Sequence, residues 1–457
     1  MASDKNTCRI RRSRLLLPDE PGAFVMPPRH FQNLIPLLSV GVLACAVLMG
    51  FRACLPAPAK ANESFDYVDF YEPAARSLLN GSGLLYDQQP ATKYPLGFPL
   101  FLAAHYWVSE QTDLSERTLL SISAIVCYAL AAMLLFSCAR RLQELDQGAR
   151  WYRSMPFLVT VLWIIYPAGL WLFKQPNSEV PFVALLFASF RLFIPLLCHR
   201  NAPSDPSNRA LQAFATGICV GLTSLIRPIT IGMGFVMAGS AIVLSKNDRS
   251  SLCDGRWKNA AILLLGNLLA VLPWEYWVWQ KTERIVPLST LGVQALYEGV
   301  TYGLNNDGTR NENIRVPSDI LSIMTAVHSH VADGSLQSFG DMAGVLQTEL
   351  QNSPMSVAKL YVLKAGRAWI GTDSGRMENA LLLIQGLWLV IISGMLIRQY
   401  SRGHRPTTIQ WFLILLTLYF WALVTLTFSI ARYMTPVMGL LLLATLAPKN
   451  RPVTSPR

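Results

Sequence analysis

The sequence has few charged residues for its length. Only 15% of its 457 residues are charged and 52% are hydrophobic, whereas soluble domains contain about 25% charged residues. Many apolar runs, such as LLSISAIVCYALAAMLLFSCA, reach about 17 to 22 residues, which is long enough to cross a bilayer core. This pattern excludes an ordinary soluble globular protein and predicts an all-α integral membrane protein.

Several functional motifs are also missing from the sequence. It contains no P-loop and no GxSxG, which argues against ATP-driven transport and serine hydrolysis. The 8 cysteines are scattered without a CxxC pair, so they are interpreted as small buried apolar side chains. No His, Asp and Glu cluster has metal-ligand spacing, so no metal site is assigned. A divalent cation remains open as a cofactor.

The positive charge is concentrated in alternate connections between the apolar runs. Six basic segments hold 22 Lys and Arg against 8 Asp and Glu, at 1–32, 140–153, 199–209, 246–258, 398–405 and 449–457. Apart from Arg191, which lies within an apolar run, the remaining chain holds 16 basic and 20 acidic residues. Cytoplasmic loops carry such an excess of Lys and Arg. The net charge of +11 therefore indicates membrane topology rather than nucleic-acid binding.

Placing every basic segment in the cytoplasm predicts about ten spans and two cytoplasmic termini. Residues 1–32 form a basic tail, 33–448 a polytopic membrane domain and 449–457 a second tail. Two long connections, loop one (about 52–117) and loop two (about 280–379), fall on the extracytoplasmic side. Loop one is expected to contain juxtamembrane helices. The predicted spans are 33–51, 118–139, 155–173, 180–198, 210–227, 229–245, 259–279, 380–398, 409–430 and 434–448.

Two aspartates begin loop one in the stretch FDYVDFYEPAARSLLNGSG. Pro73 must lie in the first turn of a helix, which predicts a helix start near Asp69, with Asp69 as its N-cap, and a stop at Gly81. Asp66 has no such structural explanation. Aromatic neighbours at a membrane surface would make its carboxylate more basic. Asp66 is therefore the better candidate for a general base, and Asp69 remains the alternative.

Four stretches resemble the GT-C glycosyltransferases, especially the group of protein-mannosyltransferases and aminoarabinose transferases that includes bacterial lipopolysaccharide sugar transferases. They run in order from about residue 30 to 448: the acid of loop one followed by YEPAARSLLNGSG and KYPLGFPLFLA, then GICVGLTSLIRP, then LPWEYWVWQKTERIVPLSTLGVQALYEG, and finally ARYMTPVMGLLLLA. Each motif alone is weak support for this resemblance, whereas four motifs in this order on one predicted membrane face support it more strongly.

The resemblance implies a fold and a reaction. It implies a multi-span helical enzyme that transfers a sugar from a polyprenyl-phosphate donor to an acceptor on the extracytoplasmic side. A loop-one aspartate would activate the acceptor hydroxyl, which attacks the anomeric carbon with inversion while the lipid phosphate leaves. The negative charge of the leaving phosphate requires cations in place beforehand. The implied partners are membrane lipids, the donor and a glycan, lipid or protein acceptor.

Five further residues lie at the same predicted membrane level. Glu179 is a candidate for orienting the acceptor or binding a metal, or else a solvated turn acid. Arg227, Arg432 and Tyr433 are candidates for binding the lipid phosphate, although each also fits an interface anchor. Lys93 is a candidate phosphate partner or an ordinary loop lysine.

A secondary transporter or lipid flippase is the alternative function. Transporters place ionisable groups near mid-membrane on broken helices, often in paired repeats. The candidate charges here gather at one predicted boundary, and the spans show no such pairing. The enzyme hypothesis is therefore favoured.

Overall fold

The computed structural model describes residues 29–61, 63–144, 154–174, 176–197, 206–244, 253–401 and 406–446. The chain divides into two compact units, Met1–Pro36 and Leu37–Arg457. Of the first unit, only the opening turns of the first helix are described. Most of the predicted N-terminal tail, most of the basic connections and the C-terminal tail lie outside the described residues, so their placement stays a prediction.

The described residues form an almost entirely helical structure. One two-residue antiparallel hairpin, β1 (Leu85–Tyr86) with β2 (Gln89–Pro90), interrupts it. The α-helices are α1 (Arg29–Cys54), α2 (Ala57–Ala61), α3 (Glu72–Leu79), α4 (Gly97–Gln111), α5 (Glu116–Glu144), α6 (Met155–Ile164), α7 (Pro167–Phe173), α8 (Glu179–Leu197), α9 (Pro206–Ile226), α10 (Met233–Val243), α11 (Cys253–Thr282), α12 (Gly292–Val300), α13 (Ser318–Ala332), α14 (Phe339–Asn352), α15 (Pro354–Ile370), α16 (Glu378–Tyr400), α17 (Thr408–Leu426), α18 (Ala431–Met434) and α19 (Val437–Ala444).

The protein is an all-α, multi-pass membrane protein, as the sequence predicted. In the described ranges, 7 helices are long and apolar enough to cross a membrane, namely α1, α5, α8, α9, α11, α16 and α17. Helices α6 and α7 make an eighth candidate span, bent by 57° where Pro167 begins α7. The count of about ten spans is not confirmed, because α10 and α19 are too short to cross a bilayer by themselves.

The long helices pack closely where small residues face one another. A Cβ atom added to Gly217 of α9 would lie 2.0 Å from the Leu263 carbonyl oxygen of α11. The absence of a side chain therefore lets the two backbones touch, as is common between membrane helices. The outer surfaces of α1, α11 and α16 instead expose large apolar side chains, including Val42, Leu268 and Leu383, which suit contact with lipid.

Loop one folds into several short elements. The segment Tyr67–Tyr71 is a π-helical turn, and α3 follows with Pro73 in its first turn. Gly81 follows the end of α3 with a φ of 74°, as the sequence predicted. The predicted N-cap role of Asp69 is wrong, because Asp69 lies inside the π-helical turn and the α-helix begins at Glu72.

Loop two forms a small helical cap with its own apolar core. Helices α12 to α15 surround a cluster that includes Ile320, Met324, Val327 and Leu360, all of which are buried. Loop two also contacts loop one, since the Thr290 amide donates to the Thr92 carbonyl at 3.2 Å. The two long connections therefore lie at the same end of the helical bundle.

Candidate active site

Four charged side chains from distant parts of the chain meet at this end of the bundle. Asp66 directly precedes the π-helical turn of loop one, and Glu179 is the first residue of α8. Arg227 follows α9, which ends before Pro228, and Arg432 lies in α18. Each side chain therefore sits where a helix begins or ends.

Glu179 binds both arginines. Its side chain is 1% exposed and forms ion pairs with Arg227 and Arg432. Arg432 binds it in a two-point arrangement, through Nε to Oε1 and through Nη2 to Oε2 at 3.2 Å. Arg227 also donates to the Ser178 hydroxyl at 3.2 Å. A buried carboxylate of this kind holds two guanidinium groups in fixed positions.

Asp66 is held by two donors on opposite oxygens. Arg432 Nη1 lies 3.0 Å from its Oδ2, and the Tyr94 hydroxyl donates to its Oδ1 at 2.8 Å. The Asp66 side chain is 26% exposed, so unlike Glu179 it can be reached from solvent. Arg432 consequently bridges the buried carboxylate of Glu179 and the accessible carboxylate of Asp66.

The cluster has two negative and two positive charges in a largely buried setting. Burial by itself disfavours the charged form of Arg432, but Glu179 and Asp66 raise the pKa of its guanidinium well above the usual value. Burial and the adjacent Asp66 carboxylate likewise raise the pKa of the Tyr94 phenol. Arg432 is therefore always cationic, and Tyr94 is a hydrogen-bond donor at any ordinary pH.

Aromatic rings form one wall of the cluster. The guanidinium carbon of Arg227 lies 4.6 Å from the centre of the Tyr433 ring, a cation–π geometry. Tyr71 packs against Tyr94 with ring centres 4.7 Å apart and against Phe98 at 4.9 Å. The charges are thus held against a low-dielectric surface, where their electrostatic effects are stronger than in water.

Loop two adds two carboxylates that the sequence did not single out, Glu298 of α12 and Asp373 after α15. Burial raises the pKa of both carboxyl groups, and the charge of Asp66 raises it further. Each also feels an opposing cation, Lys93 for Glu298 and Arg432 for Asp373. Both acids are therefore close enough to the four-charge cluster for its charges to act on them. The only sequence signal was the fragment YEG around Glu298.

The structure brings together most, but not all, of the candidate residues. A chain of contacts links five of them: Arg432 pairs with Asp66 and Glu179, Glu179 pairs with Arg227, and Arg227 lies over the Tyr433 ring. The Lys93 ammonium lies 5.8 Å from the Tyr94 ring centre and its charge acts on Glu298. Asp69 takes no part in the ion pairs or hydrogen bonds of the cluster.

A cavity of about 380 Å³ adjoins the π-helical turn. Tyr67, the neighbour of Asp66, lines it together with Arg52, Glu72 and Arg117. Its acidic wall is partly neutralised, because Arg76 binds Glu72 at 2.8 Å. The cavity includes none of the candidate residues.

No metal site is evident in the part of the chain that the structure describes. There, no three His, Cys, Asp or Glu side chains form a group that could hold an ion. In the charge cluster, the carboxylates of Asp66 and Glu179 are bound by arginines. A divalent cation remains an untested expectation.

The comparisons with known proteins identify a shared fold. No protein-family model and no curated protein sequence matches the chain. Among solved structures, it is similar to the archaeal oligosaccharyltransferase AglB from Archaeoglobus fulgidus, in complex with an inhibitory peptide and a dolichol-phosphate. The TM-score is 0.53 at 15% identity, over 90% of this chain and 50% of that chain.

A second similar structure is ArnT from Cupriavidus metallidurans, bound to undecaprenyl phosphate. It matches at 13% identity over 91% of this chain and 78% of that chain, with a TM-score of 0.42. Both neighbours are glycosyltransferases of the GT-C fold. The match to AglB, at a TM-score of 0.53, confirms the resemblance stated from the motifs at the level of architecture: this chain is similar in fold to the GT-C glycosyltransferases.

Proposed function

We propose that the protein is a membrane glycosyltransferase that moves a sugar from a polyprenyl-phosphate donor to an acceptor on the extracytoplasmic side. The observation that carries the proposal is the bridge that Arg432 makes between Asp66 and Glu179. The solved structures of similar fold contain undecaprenyl phosphate and dolichol-phosphate, which supports this class of donor.

Asp66 is proposed as the base. The acceptor hydroxyl oxygen attacks the anomeric carbon of the sugar, and the bond from that carbon to the phosphate oxygen breaks. The hydroxyl proton passes to Asp66, and the bonding electrons leave with the polyprenyl phosphate. Attack from the face opposite the phosphate inverts the anomeric configuration. Asp66 suits this role because its carboxylate is partly accessible and is oriented by Tyr94 and Arg432.

The arginines are proposed to stabilise the leaving phosphate. Arg227 and Arg432 are positioned before any ligand binds, because Glu179 holds both of them. Preorganised cations in a site of low dielectric stabilise developing negative charge without reorganisation. Lys93 and Tyr433 supply a further charge and a hydroxyl beside them. In this account Glu179 positions the arginines and does not act as a second base, since its side chain is buried.

The cap of loop two is proposed to form part of the acceptor side. Glu298 and Asp373 are close enough to Asp66 for its charge to raise their pKa, and carboxylates accept hydrogen bonds from sugar hydroxyls or other donors.

The test is sugar transfer in membranes that contain the full chain. Membranes would be supplied with a panel of labelled undecaprenyl-phosphate hexoses and pentoses, and products would be separated by solubility and mass. We expect release of undecaprenyl phosphate coupled to glycosylation, with an inverted anomeric centre by NMR. Movement of intact labelled lipid between leaflets, without cleavage of the glycosyl–phosphate bond, would instead support the flippase alternative.

A further inference from the structure

The position of Arg432 depends on a short non-helical segment. Helix α17 ends at Leu426 and α18 begins at Ala431, so four residues connect α17 to the helix that carries Arg432. The last carbonyl groups of a helix lack partners within the helix and carry the negative end of its dipole. A cation that binds these carbonyl groups would therefore hold the end of α17, where the connecting segment begins.

Lys364 of α15 is that cation. Its ammonium donates to the Leu426 carbonyl oxygen at 3.1 Å, and its side chain is 0% exposed. Lysine is almost never fully buried without a partner of opposite charge. Here the partner is the helix end, together with the Tyr361 ring at 5.2 Å.

Neighbouring contacts attach α17 to α15 and attach this segment to Gly371, which directly follows α15. The Ala431 amide donates to the Gly371 carbonyl at 2.9 Å, and the Trp421 indole donates to the Ala365 carbonyl at 2.8 Å. Helix α12 also packs here, because a Cβ atom added to Gly299 would lie 1.9 Å from the Thr427 carbonyl oxygen. Helix α12 of loop two therefore contacts the segment that leads to Arg432, next to the position of Glu298.

We propose that Lys364 is a positioning residue that holds the 427–431 segment, and through it Arg432, in place for glycosyl transfer by donating to the end of α17. The importance of Arg432 for transfer rests on the proposed function, whereas the restraint of the segment does not. Lys364 is about two helical turns from Gly371 along the chain, so the segment is held at both of its ends.

The restraint is expected to depend on pH. Burial lowers the pKa of the Lys364 ammonium to about 7, so the charge at the helix end is lost as the pH rises through neutrality. Tyr361, on α15 itself, is the titratable group that faces the ammonium. The other elements packed around it present uncharged groups: Gly299 of α12, and the Leu426 and Thr427 carbonyls at the end of α17. A neutral amine donates a weaker hydrogen bond than an ammonium.

Hydrogen exchange of the full chain in detergent tests the restraint directly. We expect Lys364→Met to raise amide exchange across 427–433 roughly tenfold, the size of losing one hydrogen bond from a charged group, with 408–426 unchanged. The matched control is Lys359→Met on the same helix. Lys359 faces Asp319 at 2.9 Å, and its removal should leave 427–433 unchanged.

Unchanged exchange in Lys364→Met, or an equal increase in Lys359→Met, would overturn the proposal. If Lys364→Met fails to fold, the wild-type chain decides the question: after correction for intrinsic rates, protection of 427–433 should fall between pH 6 and pH 8.5 relative to 408–426. Constant relative protection would also overturn it.

An assay of sugar transfer distinguishes failure of the Lys364 proposal from failure of the proposed glycosyltransferase function. We expect wild-type turnover to decline above about pH 7, where the charge of Lys364 is lost, and Lys364→Met to have low turnover without that decline. Full turnover in Lys364→Met would overturn the positioning role. If no variant transfers sugar, the proposed function fails, and hydrogen exchange still decides whether Lys364 restrains the segment.

Discussion

Arg432 and Asp66 are 366 residues apart in the chain and form an ion pair at 3.0 Å. The contact joins α18, which follows the break after α17, to the residue that directly precedes the π-helical turn of loop one. Because Arg432 also binds Glu179, one side chain connects three separate regions of the chain. A site assembled in this way depends on the whole fold rather than on a local motif.

Removal of the Glu179 charge should destabilise the protein. In Glu179→Gln, two buried guanidinium groups lose their shared carboxylate, and breaking a buried ion pair on one side costs about 3–5 kcal/mol. We expect a clear fall in melting temperature in detergent. Glu312→Gln is the matched control, since Glu312 is exposed. Equal melting temperatures in the two variants would contradict the conclusion that Glu179 stabilises the two buried arginines.

Replacement of Arg432 should weaken binding of the lipid phosphate. Arg432→Ala removes a guanidinium that can bind phosphate oxygens at two points, so we expect at least a tenfold higher Kd for undecaprenyl phosphate, as for the loss of a charge-assisted hydrogen bond. Binding would be measured by fluorescence or native mass spectrometry. Arg284→Ala, at an exposed arginine of loop two, serves as control. The phosphate-binding role would be refuted by unaltered affinity in Arg432→Ala.

The raised pKa of Glu298 predicts a pH-dependent stability. Burial lifts its folded-state pKa above the ordinary value of 4.5, so between these two values the folded chain binds more protons than the unfolded chain. Stability from this group is therefore present below pH 4.5 and is lost as the pH rises through the folded-state pKa. Glu298→Gln should melt higher than wild type at pH 7.5 and equally near pH 4. A constant difference across this range would count against the prediction.

The sequence predicted the class of fold well because the bilayer imposes a simple rule on helix length. Long apolar helices such as α5 and α11 appear close to their predicted limits. The rule fails where the chain breaks a helix inside an apolar run. Pro167 divides one predicted span into a bent pair, and the described part of the predicted span 434–448 forms the short helix α19.

The candidate site was predicted in part, for a physical reason. Arg227 ends an apolar run and Arg432 is flanked by apolar residues, where an unpaired charge is costly, and Asp66 had no helix-capping role to explain it. These three positions therefore stood out as candidates. Which of these charges form ion pairs with one another could not be predicted from the sequence, because it depends on how the helices pack. Glu298 and Asp373 were missed because an acid in a long polar loop looks solvated unless the loop folds back over the site.

Asp66 and Asp69 provide the most direct test, because they lie three residues apart on one turn and only Asp66 binds Arg432 and Tyr94. Each would be replaced by Asn, and turnover would be measured with the donor that the wild-type membranes use. We predict that Asp66→Asn loses at least about 10²-fold in turnover, as for removal of a general base, and that Asp69→Asn stays within a few-fold of wild type. Full activity in Asp66→Asn would contradict the account.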